Sequence, residues 1–150
     1  MPQSLSAVFI HVVFSTRNRV PSLDADVRPE LHAMLAATVR DTGCDCPRVG
    51  GTADHVHLAV RLARTVDVAG LVEAAKVKSS RWIKTRGGTW ADFAWQRGYG
   101  AFSVSPADVS ALVAYIASQD EHHRVRTFQD EYRGFLRRYG VNFEERYVWD

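Results

Sequence analysis

Two histidines separated by a single residue are the best candidates for chemistry in this sequence. His55 and His57 lie in the segment Asp54-His55-Val56-His57-Leu58-Ala59-Val60, shortly after the pair Gly50-Gly51. Because side chains alternate along a β-strand, the two imidazoles would share one face of a sheet. Two imidazoles on one face form half of a metal site. An ordinary strand can carry the same pair, so the choice depends on the rest of the chain.

A tyrosine and a glutamine four residues apart form the second candidate. We predict a helix over residues 105–124, because Ser105-Pro106-Ala107-Asp108 combines an N-cap serine with a proline at the first helical position. On such a helix Tyr115 and Gln119 would lie on one face. The same spacing is expected of any amphipathic helix, so it gains meaning only beside the histidines.

Together the two candidates suggest one reaction on a phosphate ester. A divalent ion held by the imidazoles of His55 and His57 and the amide oxygen of Gln119 would keep positions open for a phosphate oxygen. The hydroxyl of Tyr115 would then attack the phosphorus and form a covalent phosphotyrosine. Because a phenol has a pKa of about 10, a neighbouring cation would help by favouring the phenolate.

Length and composition bound the class of protein. The chain has 150 residues, of which 46% are hydrophobic and 24% charged, so residues 1–150 should form a single globular domain. The net charge of +2 is weak evidence for a polyanionic partner. Cys44 and Cys46 lack the second pair that a zinc ribbon needs, and we expect reduced thiols. The apolar residues 8–14 have no basic leader and are too few to span a membrane, which favours a cytoplasmic protein.

The predicted elements alternate in the order β-α-β-β-α-β. We place the strands at residues 6–15, 44–49, 55–62 and 101–104, with Gly50-Gly51 as a turn. The first helix follows Pro21-Ser22 and runs to about residue 40, and the second is capped by Thr65 or Asp67 and runs to about residue 85. This order predicts an α+β, ferredoxin-like fold, in which an antiparallel sheet carries two helices on one face. The helix at 105–124 would cover the other face, and residues 127–150 would add a last helix and a tail that docks on the domain or on a partner subunit.

The sheet register decides which face carries the histidines. The alternating apolar residues Val56, Leu58 and Val60 should face the two helices and build the core. His55 and His57 would then point to the opposite face. The predicted helix that bears Tyr115 is the natural cover for that face, so both candidates would meet there.

Several segments also match a known family in order along the chain. They are His11-Val12-Val13-Phe14-Ser15-Thr16-Arg17-Asn18-Arg19, Gly50-Gly51 with Asp54-His55-Val56-His57, Lys76-Val77-Lys78-Ser79-Ser80, residues 95–105, Tyr115-Ile116-Ala117-Ser118-Gln119, His122-His123, and Phe128-Gln129-Asp130-Glu131-Tyr132. From about residue 4 to the end, the chain resembles the single-tyrosine HUH transposases of small bacterial insertion sequences. The resemblance extends to their relatives associated with repetitive extragenic palindromes (REP).

The resemblance implies a specific activity. His55 and His57 match the paired histidines of the HUH motif, Tyr115 matches the nucleophile and Gln119 matches the third metal ligand. The implied reaction is cleavage and rejoining of single-stranded DNA at hairpin-marked ends, with Mg²⁺ or Mn²⁺ as cofactor. It leaves a 5′-phosphotyrosine on the protein and a free 3′-hydroxyl on the DNA. The resemblance also implies a homodimer whose sheets join edge to edge, in which Tyr115 acts within its own subunit or across the dimer.

Basic residues are the candidate contacts to DNA. Arg17 and Arg19 follow the first strand, close to a matching motif. The second group lies on the second predicted helix, which lacks acidic residues in its later half: Lys76, Lys78, Arg81 and Lys84. These side chains could follow a DNA backbone, although a solvated basic face explains them equally well.

Three other histidines are left outside the proposed catalytic set. His11 should lie on the open face and support a ligand or pack beside it. His122 and His123 could approach a phosphate or balance a helix dipole. Two other functions also remain open at this stage. One is a metal-dependent phosphoesterase that activates water, and the other is a non-catalytic or domesticated protein that binds DNA hairpins.

Overall fold

Four strands form one antiparallel sheet in the computed structural model, which describes residues 2–150. They are β1 (Val8–Ser15), β2 (Asp45–Gly51), β3 (His55–Leu62) and β4 (Gly100–Val104), in the order β2-β3-β1-β4. The two central strands are therefore β1 and β3, and β2 and β4 are the edges. The predicted ferredoxin-like α+β fold is confirmed.

Helices α1 (Arg28–Asp41) and α2 (Val68–Lys84) cover one face of the sheet. The main core forms there, where Val56 and Leu58 of β3 lie in one buried cluster with Leu35 of α1 and Leu71 of α2. Complete burial of each such side chain contributes roughly 1.5–3 kcal/mol. The predicted register is correct, because the apolar positions of β3 face the helices and its histidines face away.

The starts of these helices follow from local hydrogen bonds. Asp67 caps α2, since its side chain accepts a hydrogen bond from the Gly70 amide at 2.6 Å. Helix α1 begins at Arg28, five residues later than predicted, because Asp24 Oδ1 accepts bonds from the amides of Asp26 and Val27, both at 3.0 Å. The side chain thereby holds residues 24–27 in a turn that replaces the first predicted helical turn.

Three shorter helices lie toward the opposite side of the sheet: α3 (Val109–Ala117), α4 (Gln119–His122) and α5 (Phe128–Arg138). Of these, α5 builds a second core, in which Phe128 and Tyr132 pack with Val13 and Phe102 of the sheet. The predicted last helix is therefore present, and it shares the cover of the histidine face with α3 and α4.

The single helix predicted over residues 105–124 is wrong. Residues 106–108 form a 3₁₀ turn for which the Ser105 side chain makes no capping bond. A second break falls at Ser118, whose φ of −108° and ψ of 28° separate α3 from α4. The Ser118 hydroxyl donates to the carbonyl of Ala114 at 3.0 Å, a type of bond that bends helices. Tyr115 and Gln119 consequently lie on two consecutive helices.

The pair Gly50-Gly51 is also placed differently from the prediction. Both glycines end strand β2, and the turn to β3 comprises residues 52–54, closed by the Thr52 amide bonding the His55 carbonyl at 3.1 Å. A side chain at Gly50 would meet the Ile116 carbonyl oxygen at 2.5 Å. The glycine therefore permits the close approach of α3 to the sheet.

The C-terminal tail docks on the domain itself. The carbonyl of Asp150 accepts hydrogen bonds from the Gly98 amide at 2.8 Å and from Gln96 Nε2 at 3.3 Å. The centre of the Trp149 ring lies 5.8 Å from the centre of the Tyr132 ring. Of the two docking options predicted for the tail, the structure shows the intramolecular one.

Two further features concern the cysteines and the length of the helices. Cys44 and Cys46 are buried free thiols. Across residues 2–150, every helix is too short or too polar to span a bilayer.

Candidate active site

Strand β3 buries both histidines of the pair at the centre of the site. His55 and His57 are each 0% exposed, and the Nε2 atoms of both rings face the carboxylate of Glu131. The distances to Glu131 Oε1 are 3.0 Å from His57 and 3.8 Å from His55. The predicted placement on one face is thus observed, and the two rings converge on one atom.

Neighbouring groups hold the other nitrogen of each ring. Asp54 Oδ1 lies 2.7 Å from His55 Nδ1, and the Thr52 hydroxyl lies 3.1 Å from the same nitrogen. His11 Nε2 lies 2.7 Å from His57 Nδ1. Metal-binding histidines use such partners to fix the ring and direct the remaining nitrogen at the ion. The supporting role predicted for His11 agrees with this contact.

Gln119 reaches the same spot despite the break in the helix. Its side chain is 2% exposed, and its Oε1 lies 3.1 Å from both His55 Nε2 and His123 Nε2. Its Nε2 donates to Glu131 Oε2 at 3.4 Å. The amide oxygen therefore points toward the histidines, as a ligand would.

Glu131 on α5 is the functional candidate that sequence reasoning missed. The residue is 2% exposed, and its two carboxylate oxygens contact His57 on one side and Tyr115 on the other. A signal was present in the sequence. Phe128, Tyr132 and Phe135 form an inward stripe at helical spacing, and Glu131 is an acidic residue on that stripe. A carboxylate is rarely buried unless it has partners.

Tyr115 completes the cluster from α3. Its hydroxyl donates a hydrogen bond to Glu131 Oε2, and its ring centre lies 5.9 Å from that of His57. Burial and the neighbouring Glu131 carboxylate both raise the pKa of the Tyr115 phenol well above its usual value. All four predicted chemical positions therefore meet in one chain, around a carboxylate that no prediction included.

A protein-family model matches most of the chain, including the site residues up to Gln119. Residues 4–119 match the model of the family described as "Transposase IS200 like". The chain belongs to the IS200-like transposases. The matched region includes both histidines, Tyr115 and Gln119, whereas Glu131 lies beyond it. The predicted family is thereby confirmed. No curated protein sequence matches this IS200-like transposase.

Two solved structures share the fold. A protein of Deinococcus radiodurans R1 described as a transposase has 20% identity and a TM-score of 0.63, covering 79% of this chain and 98% of its own. A REP-associated tyrosine transposase, solved bound to a REP hairpin, has 16% identity and a TM-score of 0.60. That alignment covers 82% of this chain and 72% of the other. Both likenesses support the fold of the IS200-like transposase.

The donor atoms of the IS200-like transposase fit a divalent ion. One ligand atom from each of His55, His57, His123 and Glu131 lies within 4.8 Å of all the others. The Gln119 amide oxygen adds a further neutral donor. Imidazole nitrogens with carboxylate and amide oxygens suit a first-row divalent metal better than an all-oxygen site does. His123, which the prediction left outside the catalytic set, belongs to this group.

Charges at the site also favour a cation. Although burial alone would raise the pKa of the Glu131 carboxyl, hydrogen bonds from His123 and His57 hold it well below its usual range. Burial lowers the pKa of His57 to about 4, so its ring is neutral at neutral pH. An ionised carboxylate therefore faces a neutral imidazole, as metal binding requires.

The arginines predicted to contact DNA lie near the histidines. Arg17 and Arg19 form a 3₁₀ turn directly after β1, where the Thr16 amide bonds the Asp54 carbonyl at 2.8 Å. Arg17 is exposed, and the guanidinium of Arg19 lies 5.4 Å from the centre of the Trp149 ring. Their contact with DNA stays a prediction.

The basic residues of α2 lie on the other side of the sheet. Lys76 Nζ donates to the carbonyls of Gln96 and Gly98, both at 2.7 Å, and Arg97, at 3.2 Å. Burial lowers the pKa of Lys76 to about 8. With its three donors engaged, Lys76 stabilises the 96–98 loop. The remaining predicted DNA contacts on this helix are exposed: Lys78, Arg81 and Lys84.

Proposed function

We propose that this protein cleaves and rejoins single-stranded DNA at hairpin-marked ends through a covalent 5′-phosphotyrosine on Tyr115. The observation that carries the proposal is the convergence of Tyr115 and His57 on the Glu131 carboxylate within one chain. The nucleophile is thereby placed beside the candidate metal ligands. Membership of the IS200-like transposases supports the same class of reaction.

The chain's own groups can carry out the exchange of esters. The Tyr115 oxygen attacks the phosphorus, and the bond from phosphorus to the 3′-oxygen of the preceding nucleotide breaks. The departing oxygen takes up a proton from solvent and becomes the free 3′-hydroxyl. The phenol proton passes to Glu131, which already accepts its hydrogen bond. Glu131 returns this proton to solvent, so no net proton is gained or lost. Attack of a 3′-hydroxyl on the phosphotyrosine reverses these steps and rejoins the DNA.

We propose His55, His57 and Gln119 as ligands of Mg²⁺ or Mn²⁺, with Glu131 and His123 beside them. The ion would polarise a phosphate oxygen and stabilise the charge that develops on it. Asp54 and His11 would hold the two ligand rings in position. Imidazole ligands favour Mn²⁺ over Mg²⁺ in this set.

The substrate would approach beside the tyrosine. A cavity of about 400 Å³ opens there, lined by Tyr115 and Glu131 and by the basic side chains of Arg126 and Arg138. The REP-associated relative, solved with a REP hairpin, supports a DNA hairpin as partner. Because Tyr115 reaches Glu131 of its own chain, we further propose that the tyrosine acts within its own subunit. The predicted homodimer would then serve binding at two DNA ends.

A gel assay for a covalent adduct tests the proposal. Single-stranded DNA with a hairpin is incubated with the protein and Mn²⁺, and the products are separated under denaturing conditions. We expect a protein–DNA adduct that Tyr115→Phe abolishes, whereas Tyr147→Phe, which alters an exposed tyrosine, retains it. Binding of Mn²⁺ should survive in both variants.

Two outcomes would favour the other functions. Hydrolysis of the DNA without any adduct, unchanged in Tyr115→Phe, would indicate a metal-dependent phosphoesterase. Hairpin binding without cleavage or adduct, in the presence of either metal, would indicate a non-catalytic hairpin-binding protein. Either result would overturn the proposed strand transfer.

A further inference from the structure

A groove lined by basic side chains runs between helix α1 and the outer edge of strand β2. It consists of two adjoining cavities of about 270 and 430 Å³ that share Pro29, His32, Arg48 and Val49. We call it the α1–β2 groove. It lies apart from the cavity beside Tyr115, and it contains none of the residues predicted to bind DNA.

A partly buried imidazole without a hydrogen-bond partner at Nε2 lines both cavities of the α1–β2 groove. His32 Nε2 is the one buried side-chain nitrogen or oxygen without a hydrogen-bond partner in the part of the chain that the structure describes. Buried polar atoms are rarely left in this state, so a bound group is a natural partner. Burial and the charges of Arg28 and Arg48 lower the pKa of His32 to about 4. The Asp120 carboxylate, which also lines the inner cavity, opposes the two arginines, but two guanidinium groups outnumber one carboxylate, so the groove favours an anion.

Arginines supply positive charge along the α1–β2 groove. Arg48 is exposed and makes no hydrogen bond or ion pair through its guanidinium within residues 2–150. Arg28 pairs with the exposed Asp120 at 3.4 Å, and Arg40 donates to the Cys46 carbonyl at 3.0 Å. An arginine binds phosphate oxygens well because its donors form a planar fork.

The inner cavity of the α1–β2 groove touches one residue of the candidate metal site. Gln119 and Ile116 line this cavity, and the Gln119 oxygen lies 3.1 Å from His55 Nε2. A chain lying in the groove would therefore lie beside the segment that carries Gln119, whereas Tyr115 lines the separate cavity beside α5. The two approaches meet across the segment that joins α3 to α4.

We propose that the α1–β2 groove binds the sugar–phosphate backbone of single-stranded DNA, with one phosphate held by Arg28, His32 and Arg48. The groove leads that strand past the segment that joins α3 to α4. This inference rests on the proposed function, because it assigns a path to the substrate of the same reaction. It adds a binding surface that is separate from Arg17, Arg19 and the basic residues of α2.

Fluorescence anisotropy with a labelled thymidine homopolymer tests the groove, in EDTA so that no adduct forms. Arg48→Ala should weaken binding roughly tenfold at low salt, since it removes a charge-assisted contact. The slope of log affinity against log salt concentration should also decrease by about 0.7, the value for one lost phosphate contact on a single strand. His32→Phe keeps an aromatic ring and should weaken binding without changing the folded state.

The matched control is Arg64→Ala, which removes the same charge from an exposed loop residue outside the groove. If Arg48→Ala and Arg64→Ala give the same affinity and the same salt slope, the groove does not bind DNA. That result would leave the proposed function intact as long as the wild-type protein still forms the Tyr115 adduct with hairpin DNA. If the wild-type protein forms no Tyr115 adduct while Arg48→Ala still binds DNA more weakly than Arg64→Ala, only the proposed strand transfer is overturned.

Discussion

The hydroxyl of Tyr115 and the carboxylate of Glu131 form a hydrogen bond that joins helix α3 to helix α5. The other oxygen of Glu131 lies 3.0 Å from His57 Nε2. Burial and the Glu131 carboxylate raise the pKa of the tyrosine, and the same carboxylate would offset the charge of a cation at the histidines. We infer that the phenol is a poor nucleophile in the metal-free protein and becomes a better one when a cation offsets the carboxylate.

Glu131→Gln should test two proposed roles of this carboxylate, as a neighbour of the cation and as the acceptor of the phenol proton. The substitution keeps the size of the side chain but removes its charge, so Mn²⁺ affinity should fall at least about tenfold. Adduct formation on hairpin DNA should fall as well, because the amide cannot accept the phenol proton. Isothermal titration with Mn²⁺ and the denaturing gel measure the two effects.

The control for this variant is Glu145→Gln. Glu145 is an exposed acid that pairs with Arg133, away from the metal-ligand group. It should leave metal affinity and adduct formation unchanged. Wild-type metal affinity and adduct yield in Glu131→Gln would show that the buried carboxylate has only a packing role.

Two adjacent histidines offer a matched test of the metal site. His123 Nε2 lies 3.4 Å from Glu131 Oε1, whereas His122 Nε2 lies 3.1 Å from the Ser118 hydroxyl and its ring packs on Tyr115. His123→Ala should weaken Mn²⁺ binding about tenfold and so remove about 1.4 kcal/mol of metal-dependent stability. His122→Ala should retain the full rise in Tm on adding Mn²⁺. Equal losses in both variants would contradict the assignment of His123 to the metal site.

The strand that carries the histidines could be predicted because its pattern is local. A side-chain period of two residues places His55 and His57 on the face opposite Val56 and Leu58, whatever the rest of the chain does. The order of elements then limits the folds to a few. Together with the spacing of Tyr115 and Gln119, this was enough to predict that these side chains meet the two histidines on the face away from α1 and α2.

Glu131 could not be placed in the same way. It contacts His57 across 74 residues of sequence, and helical spacing shows only that Glu131 faces inward. Which face of the sheet α5 covers depends on tertiary packing. The break at Ser118 was also hidden, because no glycine or proline marks it in residues 109–124 and the bend comes with one side-chain hydroxyl that bonds the helix backbone. Both differences come from contacts that a linear pattern does not record.

Protonation should destabilise the metal-free protein as the pH falls. Burial chiefly lowers the pKa of His57 from 6.5 to about 4. Between these values the unfolded chain binds a proton that the folded protein does not, so stability falls by up to about 1.4 kcal/mol per pH unit for this residue. His32, whose pKa is also lowered to about 4, acts in the same window. His123, whose pKa is raised, acts in the opposite direction above 6.5.

Thermal melts in EDTA between about pH 7 and pH 4 measure this effect. We expect Tm to decrease steadily through the window. His32→Phe removes one of the contributing groups, so its Tm should decrease less steeply with falling pH. A Tm that is independent of pH in the wild-type protein would contradict the neutral buried state of these histidines.

The close approach of α3 to strand β2 at Gly50 provides the last test. A Cβ atom there would lie 2.5 Å from the Ile116 carbonyl oxygen and 2.7 Å from the Ile116 side chain, so Gly50→Ala must push α3 away from the sheet. We expect a loss of about 1–3 kcal/mol of stability, because the backbone has to move. Adduct formation should fall by more than the loss of folded protein explains, since Tyr115 is the residue just before Ile116 and would move away from Glu131. Gly70→Ala, where the nearest atom is a side-chain oxygen of Asp67 at 3.0 Å, is the control and should keep the adduct yield. If Gly50→Ala destabilises the protein yet forms the adduct at the wild-type rate, the position of α3 does not determine the reactivity of Tyr115.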